Sequence, residues 1–78
     1  MNKNIFRSVM VYNNDTQKDV AQALGVTEQT VSDKINGVSD FKQSEIKILI
    51  DRWNLDLKKV DEIFFAKEGE NDGQAIRK

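Results

Sequence analysis

The stretch from Thr16 to Gly37, TQKDVAQALGVTEQTVSDKING, constrains this chain more than any other. It holds two short helix signals around one glycine. Thr16 is placed to cap the first helix, with Asp19 three residues on as a shortened capping box. Val20, Ala21 and Leu24 fall on one apolar stripe at helical spacing. Gly25 stops that helix, because glycine accepts the left-handed conformation that a helix end requires. Val26 follows as an apolar plug. Thr27 caps a second helix to about Ile35, where Val31 and Ile35 share the inward face, and Asn36-Gly37 ends it. Helix, tight glycine turn, helix is the helix-turn-helix layout.

The flanks supply the rest of an all-helical domain. A first helix is expected from Asn4 to about Tyr12, with Phe6, Val9 and Met10 inward and Arg7 outward. Asn13-Asn14-Asp15 reads as a turn. Val38 to Lys42 is a loop with Phe41 tucked beneath it. A fourth helix follows from about Gln43 to Trp53, with Ile46, Leu49, Ile50 and Trp53 as its core stripe. Ile48 falls opposite that stripe, so this helix is either buried on two faces or offers Ile48 to a partner. Asn54 ends it. Asp56 caps a fifth helix from Leu57 to about Phe65, with Leu57, Val60 and Phe64 on its inward face and Ile63 and Phe65 to either side. The expected domain spans residues 1–66, and 67–78 reads as a flexible, solvated C-terminal tail.

Composition narrows the function. Seventy-eight residues allow one small domain with little volume for an enzyme pocket. The chain has no cysteine and no histidine, which removes thiolate nucleophiles, imidazole bases and the usual zinc sets. No phosphate-cradling glycine loop is present. An enzyme, a metal site and a cofactor are therefore not expected. No apolar run approaches the roughly 20 residues of a membrane span, and the N-terminus lacks the long apolar segment of a signal peptide.

The residues also resemble a known family. T-Q-x-x-[VL]-A-x-x-L-G-V-[ST], a short helix and N-G are similar to the Cro/CI (XRE) helix-turn-helix family of phage and bacterial regulators. The resemblance extends through Ser32–Gly37, Phe41, Ser44–Ile46 and Ile63–Phe65, covering roughly residues 3 to 66. It resembles most the small Cro-like and modulator-of-repression proteins of temperate phages. The resemblance implies a five-helix lambda-repressor-like DNA-binding domain, acting in the cytoplasm of a bacterial host cell. Members of the family commonly carry a capping threonine where this chain has Lys42, which leaves the start of the fourth helix less well marked.

A helix that reads DNA needs polar side chains near its N-terminus, and donors beside it that fix the protein on phosphates. The third helix offers Glu28, Gln29, Thr30, Ser32, Asp33 and Lys34 on positions expected to be exposed. The resemblance assigns base reading to Glu28, Gln29 and Asp33. Glutamine suits adenine, and a carboxylate accepts from cytosine N4. Thr30 reaches a thymine methyl or a phosphate. The resemblance gives Gln17 a phosphate-binding and bracing role, and Thr27, Lys34, Asn36 and Lys42 are the further phosphate candidates.

Charge qualifies this. The chain has 12 basic and 13 acidic residues, a net charge of −1. Asp15 to Lys42 carries three basic residues against five acidic ones, a balance of −2. Phosphate neutralisation supplies much of the affinity for DNA, so weak binding with a shallow salt dependence is expected. Two functions follow. One is a Cro-like regulator of the lysis–lysogeny switch that binds double-stranded operator DNA, as a homodimer on a palindromic site. The other is an antirepressor that docks the same surface on the basic face of a CI-type repressor.

Overall fold

The first helix begins one residue earlier than its apolar spacing predicts, because Asn2 caps it. The Asn2 side chain accepts the Ile5 N–H at 3.2 Å, and α1 runs over Lys3–Tyr12. The structure, a computed structural model, describes residues 1–65. The expected tail, 67–78, lies outside the described residues. Among the described residues every regular element is helical: α2 is Gln17–Leu24, α3 Glu28–Ile35, α4 Gln43–Trp53 and α5 Leu57–Val60, which passes into a π turn at Asp61–Phe65. None of these helices is long and apolar enough to cross a membrane.

The local signals around α2 and α3 are all realised. Thr16 accepts the Asp19 N–H at 3.2 Å, and Asp19 accepts the Thr16 N–H at 2.9 Å, a complete capping box. Gly25 ends α2 in the left-handed region at φ 72°. Thr27 caps α3 by accepting the Thr30 N–H at 3.1 Å. α4 starts without a side-chain cap from Lys42. Instead Glu45 reaches back and accepts the Lys42 N–H at 2.8 Å, so the missing threonine is replaced by the other half of a capping box.

The core gathers Phe6 and Met10 of α1, Val20 and Ala21 of α2, Val31 and Ile35 of α3, Leu49 and Trp53 of α4, and Ile63 of the π turn. Val9, Leu24, Val26, Phe41 and Phe64 are half-buried against it. Phe6 is fully buried and stands at the centre of an aromatic group. Its ring stacks on Phe41 at 5.2 Å and meets Trp53 edge-on at 5.3 Å and Phe64 at 6.2 Å, centroid to centroid. Such pairs contribute about 0.5–1.5 kcal/mol each beyond area burial.

Two expectations fail at the C-terminal end. Leu57 does not face the core; it is 88% exposed. Ile63, expected beside the inward face, is completely buried. Val60, Ile63 and Phe64 stand at i, i+3 and i+4, so the buried stripe is centred on them and leaves Leu57, in the first turn of α5, at its edge. The inward set is therefore Val60, Ile63 and Phe64. The Ile63 carbonyl also accepts the Asn2 N–H at 2.8 Å, tying this turn to the start of α1. Ile48 is exposed, so α4 buries one face and not two.

Asp15 is more than a turn residue. Its carboxylate accepts from Arg52 Nε at 2.7 Å and Nη2 at 2.8 Å, and from Trp53 Nε1 at 2.7 Å. It locks the α1–α2 turn to the end of α4. The Arg52 hydrogen bonds hold the Asp15 carboxyl below the ordinary aspartate range; burial opposes them, and the Trp53 N–H and the Arg52 charge assist.

Two outcomes follow for stability. A Cβ at Gly25 meets nothing within 4 Å, so Gly25→Ala should cost only the backbone penalty of the left-handed region, about 1–2 kcal/mol by urea denaturation. Asp15→Asn should cost about 1–2 kcal/mol at neutral pH, with the Arg52 pair discounted because Arg52 is partly solvated. A carboxyl depressed in the folded state stabilises at pH above its unfolded value, and that contribution disappears as pH falls through the folded one. The stability gap between wild type and Asp15→Asn should therefore narrow below about pH 4.

Candidate recognition surface

Gly25 and Val26 position this surface. The left-handed Gly25 turns the chain, and the Val26 N–H is accepted by the Ala21 carbonyl at 3.0 Å. Val26 packs against the core and sets the entry of α3. Val31 and Ile35 bury the inner face of α3, which leaves its polar residues other than Lys34 outward.

Those outward side chains are paired along the helix. The Thr27 and Thr30 hydroxyls are 2.9 Å apart. Gln29 Nε2 donates to Asp33 Oδ1 at 2.9 Å. Asn36 Nδ2 donates to Ser32 Oγ at 3.3 Å. These are i,i+3 and i,i+4 neighbours on one helix, where side chains meet. Thr27, Glu28, Gln29 and Asn36 are exposed, while Thr30, Ser32 and Asp33 are half-buried. Glu28 has no hydrogen-bond or ion-pair partner among the described residues and stands at the first turn of α3, where a carboxylate is favoured by the helix dipole. Gln17 opens α2, half-buried, and Lys42 is exposed ahead of α4.

Lys34 is the correction. Expected among the exposed positions as a phosphate contact, it is buried. Its ammonium donates to the Asp40 carbonyl at 2.8 Å, pairs with Glu45 Oε1 at 3.1 Å and lies 5.8 Å from the Phe41 ring centroid. The pair is buried on both sides, with side chains 7% and 8% exposed. A long aliphatic stem lets lysine cross apolar surface to a polar site, and here that site is the α3–α4 loop instead of solvent. Burial is the largest single influence on Glu45 and opposes its ionisation. The Lys42 N–H, the Lys34 hydrogen bond and the charges of Lys34 and Lys42 together outweigh burial and hold its carboxyl below the ordinary glutamate range.

Sequence reasoning missed this pair for a definite reason. Lys34 and Glu45 belong to different helices, and neither periodicity nor capping rules connect them. One weak signal existed: Glu45 stands at the third position of α4, where a carboxylate caps. The pairing also removes the positive charge of α3 from its outer face. What remains there is Gln29, hydroxyls, an amide, and the carboxylates of Glu28 and Asp33.

Removing one partner of a buried ion pair leaves the other charge stranded, so Lys34→Met should cost about 3 kcal/mol in chemical denaturation. The double variant Lys34→Met/Glu45→Leu should recover most of that loss, because two packed apolar side chains remove both desolvation penalties.

A search of curated proteins finds no match, and a search of solved structures finds none. A protein-family model does match, over residues 6–67, and its description is "Protein of unknown function (DUF739)". That span includes every element described above except the first turn of α1. By that match the chain belongs to the DUF739 family of proteins of unknown function.

Proposed function

We propose that this protein is a Cro-like helix-turn-helix regulator of a phage lysis–lysogeny switch, with a lambda-repressor-like fold, which binds double-stranded operator DNA by inserting α3 into the major groove. The observation that carries the reading is the α2–α3 unit. A capped helix, a left-handed glycine and a second capped helix present one polar, internally bonded face of α3 outward. The groove of B-DNA admits a helix of this kind, and its base edges carry the donors and acceptors that such side chains pair with. The family resemblance of Thr16–Gly37 supports the same reading.

In this reading Gln29 reads a base edge. Gln17, Thr27 and Lys42 fix the domain on phosphates, with Thr30, Ser32 and Asn36 at the edge of the contact. Lys34 acts from within: it holds the α3–α4 loop and makes no phosphate contact. The protein works in the cytoplasm of a bacterial host, as a homodimer on a palindromic operator.

A second reading has its own observation. With Lys34 neutralised by Glu45, α3 offers Glu28 and Asp33 and no free cation. Such a surface is complementary to a basic one, and an antirepressor would dock it on the DNA-binding face of a CI-type repressor.

One titration separates the two. Binding to the operator region of the phage is measured across salt concentrations, with and without its repressor. The DNA reading expects binding by the protein alone, and expects Lys42→Ala to make the slope of log K against log salt shallower by about 1. Lys34→Met/Glu45→Leu should leave that slope unchanged. A stable complex with the repressor and no binding to DNA alone would replace the first reading with the second.

A further inference from the structure

We propose that Asp33 is a positioning residue for Gln29, fixing its amide in the orientation that selects adenine at one A·T base pair. The inference rests on the DNA reading above and departs from the expectation that Asp33 reads a base itself.

The argument starts from what each group can do. An ionised carboxylate only accepts hydrogen bonds, whereas an amide has one end that donates and one that accepts. A glutamine on a helix surface is otherwise free to present either end. Here Gln29 Nε2 lies 2.9 Å from Asp33 Oδ1, and only the orientation with the NH₂ group toward Asp33 makes that bond. The bond uses one of the two N–H donors. The second N–H and Oε1 remain, and together they match the N7 acceptor and N6 donor of adenine. The flipped amide would set its oxygen against the carboxylate, which is repulsive.

Asp33 is a firm anchor for this purpose. Its backbone lies inside α3, and its carbonyl also accepts the N–H of Val38 at 2.8 Å and of Ser39 at 3.4 Å. Its side chain is half-buried, while Gln29 is exposed. The anchored member of the pair is thus the one set back from the surface, and the amide it orients is the one that reaches outward.

The charge explains why this is a trade. A carboxylate close to phosphates lowers affinity for every DNA sequence. A group that improves selection through Gln29 while weakening binding overall leaves a signature that a direct DNA contact does not. Removing it should raise general affinity and lower discrimination.

The test uses the full chain and its Gln29→Ala, Asp33→Ala and Asp33→Asn variants. Each is used to select bound duplexes from a random-sequence pool, and the Gln29 side-chain amide is followed by NMR in the free protein. Gln29→Ala should erase an adenine preference at one position. Asp33→Ala should weaken the preference at that same position about twofold, the fold-change corresponding to one i,i+4 side-chain pair, while binding to unselected DNA tightens. It should also move the Gln29 amide resonances. Asp33→Asn keeps an acceptor oxygen in place and should retain the preference. Three results would overturn the proposal alone: an undiminished preference in Asp33→Ala, a loss at a different base pair, or unmoved Gln29 amide resonances. A pool that yields no enriched sequence with the wild-type chain would overturn the DNA reading, and this proposal with it.

Discussion

Phe6 is the contact on which the architecture depends. In a described segment of 65 residues there is room for one small core, and one ring reaches three separate parts of it. Phe6 meets Phe41 from the loop between α3 and α4, Trp53 from the end of α4 and Phe64 from the π turn. Burying such a side chain contributes about 1.5–3 kcal/mol, a large share of the stability of a small domain. The placement also matters for the α3–α4 loop. Phe41 stacks on Phe6 and has the Lys34 ammonium over its ring, so an otherwise irregular loop has a defined position.

The Lys34–Glu45 pair links the core to the α3–α4 loop and the outer face of α3. Its energetic worth as a pair is modest, because two charges had to leave water. Its structural effect is larger. One lysine satisfies the Asp40 carbonyl and the Glu45 carboxylate, while Glu45 caps the backbone of Lys42. Three elements are thereby connected through a few atoms. The cost is borne by the outer face of α3, which loses its cation. Between Asp15 and Lys42 the buried Lys34 charge and the Arg52-clasped Asp15 carboxylate both leave the surface, so the balance there stays at −2.

Side chains on the outer face of α3 also hold one another. Paired hydroxyls, a glutamine–aspartate bond and an asparagine–serine bond restrain side chains that would otherwise sample several rotamers. Restraint of this kind lowers the entropy lost on binding. It suits recognition by few, well-placed groups better than recognition by bulk charge. That distinction is consistent with a surface that is polar and acidic.

Much of this was legible in the residues themselves. The caps at Thr16, Thr27 and Asp56, the stop at Gly25, the turn at Asn13–Asp15 and the inward stripes of α1 to α3 follow from interactions within three or four residues, and local rules describe those well; of the stripe expected in α4, Leu49 and Trp53 join the core while Ile46 and Ile50 are only half-buried. Tertiary structure decided the rest. Lys34 turned inward because Glu45 and Asp40, from beyond α3, offered it partners. Asp15 became a clasp because Arg52 and Trp53, 37 and 38 residues away, came to meet it. Leu57 was left in solvent and Ile63 buried because the Ile63 segment packs against α1, where the Ile63 carbonyl accepts the Asn2 N–H. Sequence alone determined the ends of α2, α3 and α4, since capping and periodicity are local. Which charges remain at the surface was decided only when distant elements packed, because Lys34 and Asp15 each found their counter-charge on another helix.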